Sequence, residues 1–564
     1  MVKRIIIAVL LSTPLFAQYY YYGERPLEQS FENETFFFNS NHVNPFGMKE
    51  FSSVTPGLIN NPLLNLQINP ANILYDSLSS NYIYLDFRTS REISREYPVY
   101  VQPYMSVDRV MPPYPQFFAM EKRFIEPALS GVYFTHPFSS VPQLSVGATY
   151  QMIFQNENYY YLPQQGYRNE LMADVRNLTQ SIDKNTDYMK HQGHFGSFYL
   201  GYEVNHQINA GIRFNRSIFD RKGVLGAENS IYNNMESRLQ DYNHWDVATG
   251  VQYNFSTNSS IGITTGYLWG TAKQSLLQNN NSNPIVSNSQ SNNDKTQRWL
   301  HDGYKLYGSI DFSSRIAENK KITIVYSASS HNMQLSSSSL SSGFSYSSYA
   351  DQSNFWESKY FLDDARSGNG KKNVITHQIS PSLQWIPNEE LTLNLGLSVE
   401  LLSSHVSTTE KITTSRFYYN AGTNYYYIDS LAEKKNLPWK FDVLLNTVQL
   451  PIIFQWKTSD AIELIFGINN QFITREINEI TTEDIQYRTT NQNGVITTIN
   501  NVKQEYVSPT TYIDESKTTL LFGTKLSPMP LMDIQFLALP SHTYLWNGAK
   551  QINFQWWLGI NLHP

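Results

Sequence analysis

The side chains that could do chemistry in this chain are charged residues set singly into ribbons of uncharged ones: Asp86, Arg88, Glu203, Arg213, Asp246, Lys305, Asp311, Glu400, Glu463, Lys525 and Asp533. Each lies on the polar side of a segment whose alternate residues are apolar. The signs are mixed. Such a set suits an aqueous path whose charges select a ligand or ion, or a salt-bridged interior that holds another part of the chain. Enzymatic signatures are missing. There is no G-x-S-x-G elbow, no H-E-x-x-H, no phosphate-binding glycine loop and no His pair at metal spacing, and the 12 His are scattered. The chain therefore reads as a non-enzyme without a cofactor or metal. With no Cys, a disulfide framework, a thiolate metal site and a lipid-anchored N-terminal Cys are excluded.

Composition narrows the setting. Hydrophobic residues make up 41% and charged ones 16%, yet mean hydropathy is −0.41 and Tyr alone counts 39. The polarity comes from Asn, Gln, Ser, Thr and Tyr, which suit a wet lumen, surface loops and interfacial belts. A net charge of −6 without a basic run gives no footing for nucleic acid.

The elements that would carry the charges are strands. From Phe441 to Trp456, Leu444, Val448, Leu450, Ile452, Phe454 and Trp456 share one side of a period-two ribbon, and Thr447, Gln449 and Gln455 the other. Past a turn at Lys457 to Asp460, Ile462, Leu464, Phe466 and Ile468 alternate with Glu463, Gly467, Asn469 and Gln471. This hairpin pattern recurs along the chain with nothing helical to cover its apolar side. The expected fold is an all-β transmembrane antiparallel barrel of about sixteen strands, with fourteen to eighteen as the range. Short periplasmic turns and long outer loops follow from the spacing. The long connections are Gln155 to Gly193, Thr271 to His301, Gln334 to Lys371 and Asn478 to Ser516, and Arg91 to Phe124 is a further outside loop with an extra strand around Val99 to Tyr104. Strand-like material at Tyr418 to Ile428 and Ile480 to Gln504 suggests sheet above the membrane. Trp385, Phe255 and Trp456 beside short turns, and Trp245, Trp269 and Tyr150 toward long loops, read as two aromatic girdles.

The domain plan has three parts. Residues 1–17 read as a signal peptide removed after Ala17, with Lys3 and Arg4 ahead of an apolar run from Ile5 to Leu11. Residues 18–80 form an irregular arm, in the periplasm or plugging the lumen, and residues 81–564 the outer-membrane barrel. Pro381 and Pro451 interrupt otherwise good strands, where each removes a ladder donor and is expected to kink the wall or open a side exit.

The segment Asn60 to Asp76, NNPLLNLQINPANILYD, stands immediately before the first strand. With its Asn69-Pro70-Ala71, and the short-turn hairpins behind it, it resembles the N-terminal arm of the FadL/OmpP1-like outer-membrane transport proteins, including their PorV-like relatives. The small residues usual before that motif are replaced by Leu63, Leu64 and Leu66, and the chain ends in His563-Pro564 instead of an aromatic. The resemblance implies a lumen plugged by the arm and passage of hydrophobic compounds or, on the PorV-like branch, docking in protein secretion. Two functions follow as expectations: an outer-membrane barrel that passes or binds a small hydrophobic ligand, or a scaffold whose outer loops engage a secretion or surface protein. Outer-membrane lipid is the expected partner of both.

Overall fold

The computed structural model describes residues 26–27, 51, 55–59, 61–74, 82–100, 105–106, 109–110, 115–138, 140–162, 188–228, 232–282, 288–350, 354–529, 531–544 and 550–562. The proposed signal peptide lies outside them. Alternation becomes strand throughout. The staves are β1 (Tyr82–Tyr100), β2 (Pro115–Thr135), β3 (Leu144–Leu162), β4 (Tyr188–Asn205), β5 (Ile208–Glu228), β6 (Tyr232–Ser256), β7 (Ser259–Ser282) and β8 (Asn288–Ala317). They continue as β9 (Lys320–Ala350), β10 (Phe355–Asn388), β11 (Leu391–Gly396 with Ser398–Gly422), β12 (Tyr425–Ser459) and β13 (Ile462–Gln492). The last are β14 (Val495–Val507 with Thr511–Met529), β15 (Met532–Tyr544) and β16 (Lys550–Leu562). Every neighbour is antiparallel, and β1 closes onto β16 from Leu85↔Leu562 to Tyr97↔Lys550. The sheet is a closed barrel of 16 strands.

Closure follows from what the outer face touches. Ile212, Phe214, Val251, Ile261, Ile263 and Leu558 are exposed there while their strand neighbours face inward. A strand open to hydrocarbon on one side has no water to satisfy its backbone, so only a sheet without edges survives. Phe255 and Trp245 sit about ten residues apart on β6, roughly the length a tilted strand needs to cross the apolar band. No helix among the described residues is long and apolar enough to cross a membrane.

The staves then keep going. Most of the expected outer loops are strand: β9 and β10 pair without a break from Lys320↔Trp385 to Ala350↔Phe355, which takes in Gln334 to Ala350 and Phe355 to Lys371. Thr271 to His301 and Asn478 to Ser516 are likewise mostly ladder, and in Gln155 to Gly193 the residues 163–187 lie outside the described ones. Arg91 to Phe124 is also mostly β1 and β2; of the extra strand expected at Val99 to Tyr104, Val99 and Tyr100 end β1 and residues 101–104 lie outside the described ones, and Met105–Ser106 pairs with Arg109–Val110 as a small ladder. The reason is local. Two polar chains leaving the membrane side by side still have N–H and C=O groups to pair, and each is the other's nearest partner.

At neither proline does the register shift against the neighbour on one side. Pro451↔Asn469 keeps continuous register with β13, and Pro381↔Ile324 with β9. On their other sides both face the one gap in β11, between Gly396 and Ser398. Leu397 N still donates to Pro381 O at 3.0 Å, but proline has no N–H to return. The wall is thinned in hydrogen bonding there.

Arginine in place of Ile263, in the lipid band, should lower the free energy of folding into bilayers by about 2–4 kcal/mol, whereas arginine in place of Val495, on the outer sheet, should change it by less than about 0.5 kcal/mol. Denaturant titration in liposomes measures both. Equal penalties would move the membrane boundary.

Candidate functional site

The barrel interior is built around the arm. Asn61 caps a short helix, α1 (Pro62–Ile68), its Oδ1 accepting from Leu63 N at 2.9 Å with Pro62 in the first turn. A 3-10 turn, Pro70–Leu74, follows directly. Asn69 joins the two: its Oδ1 accepts from Ala71 N at 3.0 Å, and its Nδ2 donates to Val251 O at 3.2 Å on β6. Asn69-Pro70-Ala71 is thus a buried corner pinned to the wall.

The wall makes room for it with glycine. Gly201, Gly211 and Gly250 stand directly opposite one another on β4, β5 and β6. A Cβ on Gly211 would come within 2.4 Å of the Pro70 carbonyl carbon, one on Gly250 within 2.1 Å of Asn69 Oδ1, and one on Gly201 within 2.1 Å of Ile73. Only a residue without a side chain lets the two backbones approach so closely. The other contacts are apolar. Leu63, Leu66 and Ile73 pack on Tyr84, Val132, Phe134 and Tyr199, while Phe51, Leu58, Ile59 and Leu64 pack on Ile453, Ile465, Leu521, Leu537, Leu539 and Trp557. Each buried leucine contributes about 1.5–3 kcal/mol relative to exposure in a wet lumen. Further hydrogen bonds tie Ile68 O to Thr264 Oγ1 at 3.0 Å and Gly57 O to Ser382 Oγ at 2.9 Å.

Beside this plug, the charges expected to line the interior divide into groups. Arg213 and Asp246 form a buried pair, Nη2 to Oδ2 at 2.9 Å. The Tyr307 hydroxyl bridges them: Arg213 Nη2 donates to it at 2.7 Å and it donates to Asp246 Oδ1 at 2.7 Å. Lys305 Nζ lies 5.8 Å from the Tyr307 ring centre, within cation-π range. Arg213, Lys305, Tyr307 and Glu400, with His331 and Gln378, form the polar end of a cavity of about 620 Å³ whose apolar lining includes Ile59, Leu64 and Ile68 of the arm and Leu268, Val325 and Leu402 of the wall. Arg213 Nε and Nη1 are buried with no acceptor among the described residues. Asp311 stands apart, next to Asn69 at Gly262.

The remaining candidates do not join this site. Asp86 accepts from Tyr84 Oη at 3.1 Å, Glu203 meets His206 at 3.2 Å beside a short turn, Glu463 accepts from Gln455 at 3.0 Å, and Lys525 pairs with Asp533 at 3.2 Å. The Arg88 side chain lies outside the described ones. Sequence reasoning missed Tyr307, although it shares its face with Lys305 two positions earlier, and also the glycine row, whose members are far apart in sequence.

Above the cavity the lumen is crossed by an apolar belt of Leu268, Trp299, Met333, Leu335, Val406 and Trp439. Trp299 Nε1 donates to Leu27 O at 3.2 Å and Leu27 N donates to Glu410, so the arm passes this level too. Trp439 Nε1 donates to Glu479 Oε1 at 2.7 Å.

No described sequence family matches the chain, and neither does any curated protein. Solved barrels do resemble it. A Pseudomonas aeruginosa FadL homologue is 10% identical over 93% of this chain and 100% of that one, with a TM-score of 0.34. The CymD monoaromatic hydrocarbon channel is 9% identical over 89% and 92%, at 0.34, and the Pseudomonas putida toluene transporter TodX 10% over 90% and 96%, at 0.33. At these identities and TM-scores the likeness carries no argument, and the function rests on the residues of the site itself.

Replacing Gly211 by valine drives a side chain into the Pro70 backbone and should dislodge the arm while leaving closure intact. Conductance in planar bilayers should rise several-fold; parental conductance would show that the arm tolerates the intrusion. Glu479 gives a pH signature. It lies far beyond the ten or so residues of β13 that span hydrocarbon, and burial holds its carboxyl up at about 7 against an ordinary 4.5. The folded chain therefore keeps a proton that the unfolded chain releases. Stability from this group is full below about pH 4.5 and falls as pH rises through 7. Glu479→Gln should flatten that fall in a series of melting temperatures.

Proposed function

We propose that the chain is an outer-membrane barrel that takes a small hydrophobic molecule bearing one polar group into the cavity between the arm and the wall. The observation that carries this reading is Arg213. It is neutralised by Asp246 yet has Nε and Nη1 without an acceptor among the described residues, beside a chamber lined by both polar side chains and the apolar Ile59, Leu64, Ile68, Leu268, Val325 and Leu402. Burying unsatisfied guanidinium donors is costly, and a small shift of Arg213 toward a ligand carbonyl or hydroxyl in the cavity would relieve that cost. About 620 Å³ is within the ordinary range for a small-molecule site.

The thinned wall at Leu397 supports passage beyond simple binding. It lies within the membrane band, seven residues from the Glu389–Glu390 turn, and Leu58 of the arm stands behind it against Gly396. A molecule leaving the cavity sideways would displace Leu58 and part few hydrogen bonds. The scaffold reading keeps one observation in its favour, the exposed apolar residues Leu340, Tyr349, Val495 and Ile496 on the outer sheet.

Equilibrium dialysis of the purified chain against 2-naphthol tests the proposal. Saturable binding is expected, and Leu268→Trp with Leu402→Phe, which fill the cavity, should weaken it about tenfold or more. Binding unaffected by filling, or absent while a stable protein partner co-purifies, would turn the reading toward a scaffold.

A further inference from the structure

Outside the apolar belt the lumen opens into a second chamber, of about 750 Å³, lined in part by the arm residues Pro26 and Leu27. Its wall is a single curved sheet surface crossing β8 to β13. The registers set Lys295, Ser341, Asp364, Thr414, Glu433 and Arg488 side by side on six neighbouring staves. Arg366 and Lys435 lie one inward-facing position below this rung and Arg416 one above. Five cations thus line the chamber against the two carboxylates Asp364 and Glu433, with Asp429 beside Arg416 and Glu483 3.9 Å from Arg488 just outside it, in a chain whose net charge is −6.

The carboxylates are already engaged. Glu433 serves both Lys435, at 2.6 Å, and Arg488, and Asp364 takes Arg366 Nε at 2.8 Å and the Thr414 hydroxyl at 2.5 Å. Arg416 Nη2 reaches Asp429 at 2.8 Å, but its Nε is buried and meets no acceptor among the described residues. A guanidinium carries five N–H donors in a planar fork that matches an oxyanion. We propose that this chamber is a binding site for a water-soluble oxyanion, a carboxylate or phosphate group on a small molecule, held by Arg416 and Arg488 above the arm at Leu27. The site is separate from the hydrophobic cavity and does not depend on that reading.

Calorimetric titration of the full chain in detergent micelles, with pyrophosphate and separately with citrate, tests it. Saturable binding of at least one is expected, and the stronger of the two identifies the class. Arg416→Gln and Arg488→Gln should each weaken it about tenfold, and Lys457→Gln, at an exposed short turn on the opposite rim, should leave it unchanged. Because the chain has no cysteine, a single Thr490→Cys thiol in the chamber gives a second measure that leaves the arginines intact. Bound pyrophosphate or citrate should slow its reaction with an anionic thiosulfonate. No saturable heat, binding that survives loss of both arginines, an equal loss in Lys457→Gln, or a thiol that the bound anion does not protect would overturn the assignment.

Discussion

The structure depends on the fact that hydrocarbon offers a backbone nothing to hydrogen-bond. Every N–H and C=O within the membrane must find its partner inside the protein, and for a chain of strands that forces the first stave onto the last. The Leu85↔Leu562 to Tyr97↔Lys550 ladder is that closure. Against this rule the stretch around Leu397 stands out. Two prolines, on the staves β10 and β12 that flank β11, face the same gap in it, and both missing donors fall at one height of the wall.

Closure creates a second problem, since a sixteen-stave barrel is too wide for its own side chains to fill. The arm supplies the missing interior. Its seat is specific because steric exclusion, more than attraction, defines it: the glycine row on β4, β5 and β6 is a groove occupied by the Asn69-Pro70-Ala71 corner and, at Gly201, by Ile73. Around that seat the buried Arg213, Asp246 and Tyr307 are held by mutual hydrogen bonds. Such an ion pair gives little net stability, because desolvation offsets its attraction, but it fixes geometry at the polar end of the cavity.

The long outer sheet shows where sequence pattern loses its contrast. In the membrane, lipid on one side and the wet, plugged lumen on the other force strict alternation, which is why the hairpin around Lys457 to Asp460 was legible at once. Beyond the membrane both faces can be polar. Runs such as Ser336 to Ser339 carry no period at all, yet they pair residue for residue with β10, because the ladder is made by backbone that every sequence shares.

The sequence by itself determined the class of fold, a range of fourteen to eighteen staves centred on the sixteen observed, and the inward side of the staves it read, since period-two burial needs only neighbours along one strand. It also placed the arm motif before the first stave. The tertiary structure alone decided which inward charges meet. Arg213 and Asp246 meet diagonally between the neighbouring staves β5 and β6 and Tyr307 reaches them from β8, while Glu463 and the Lys525 and Asp533 pair remain at other parts of the wall. Side-chain meetings across a lumen depend on stagger, on closure and on what fills the middle, and none of these is written in the spacing of residues along a single strand.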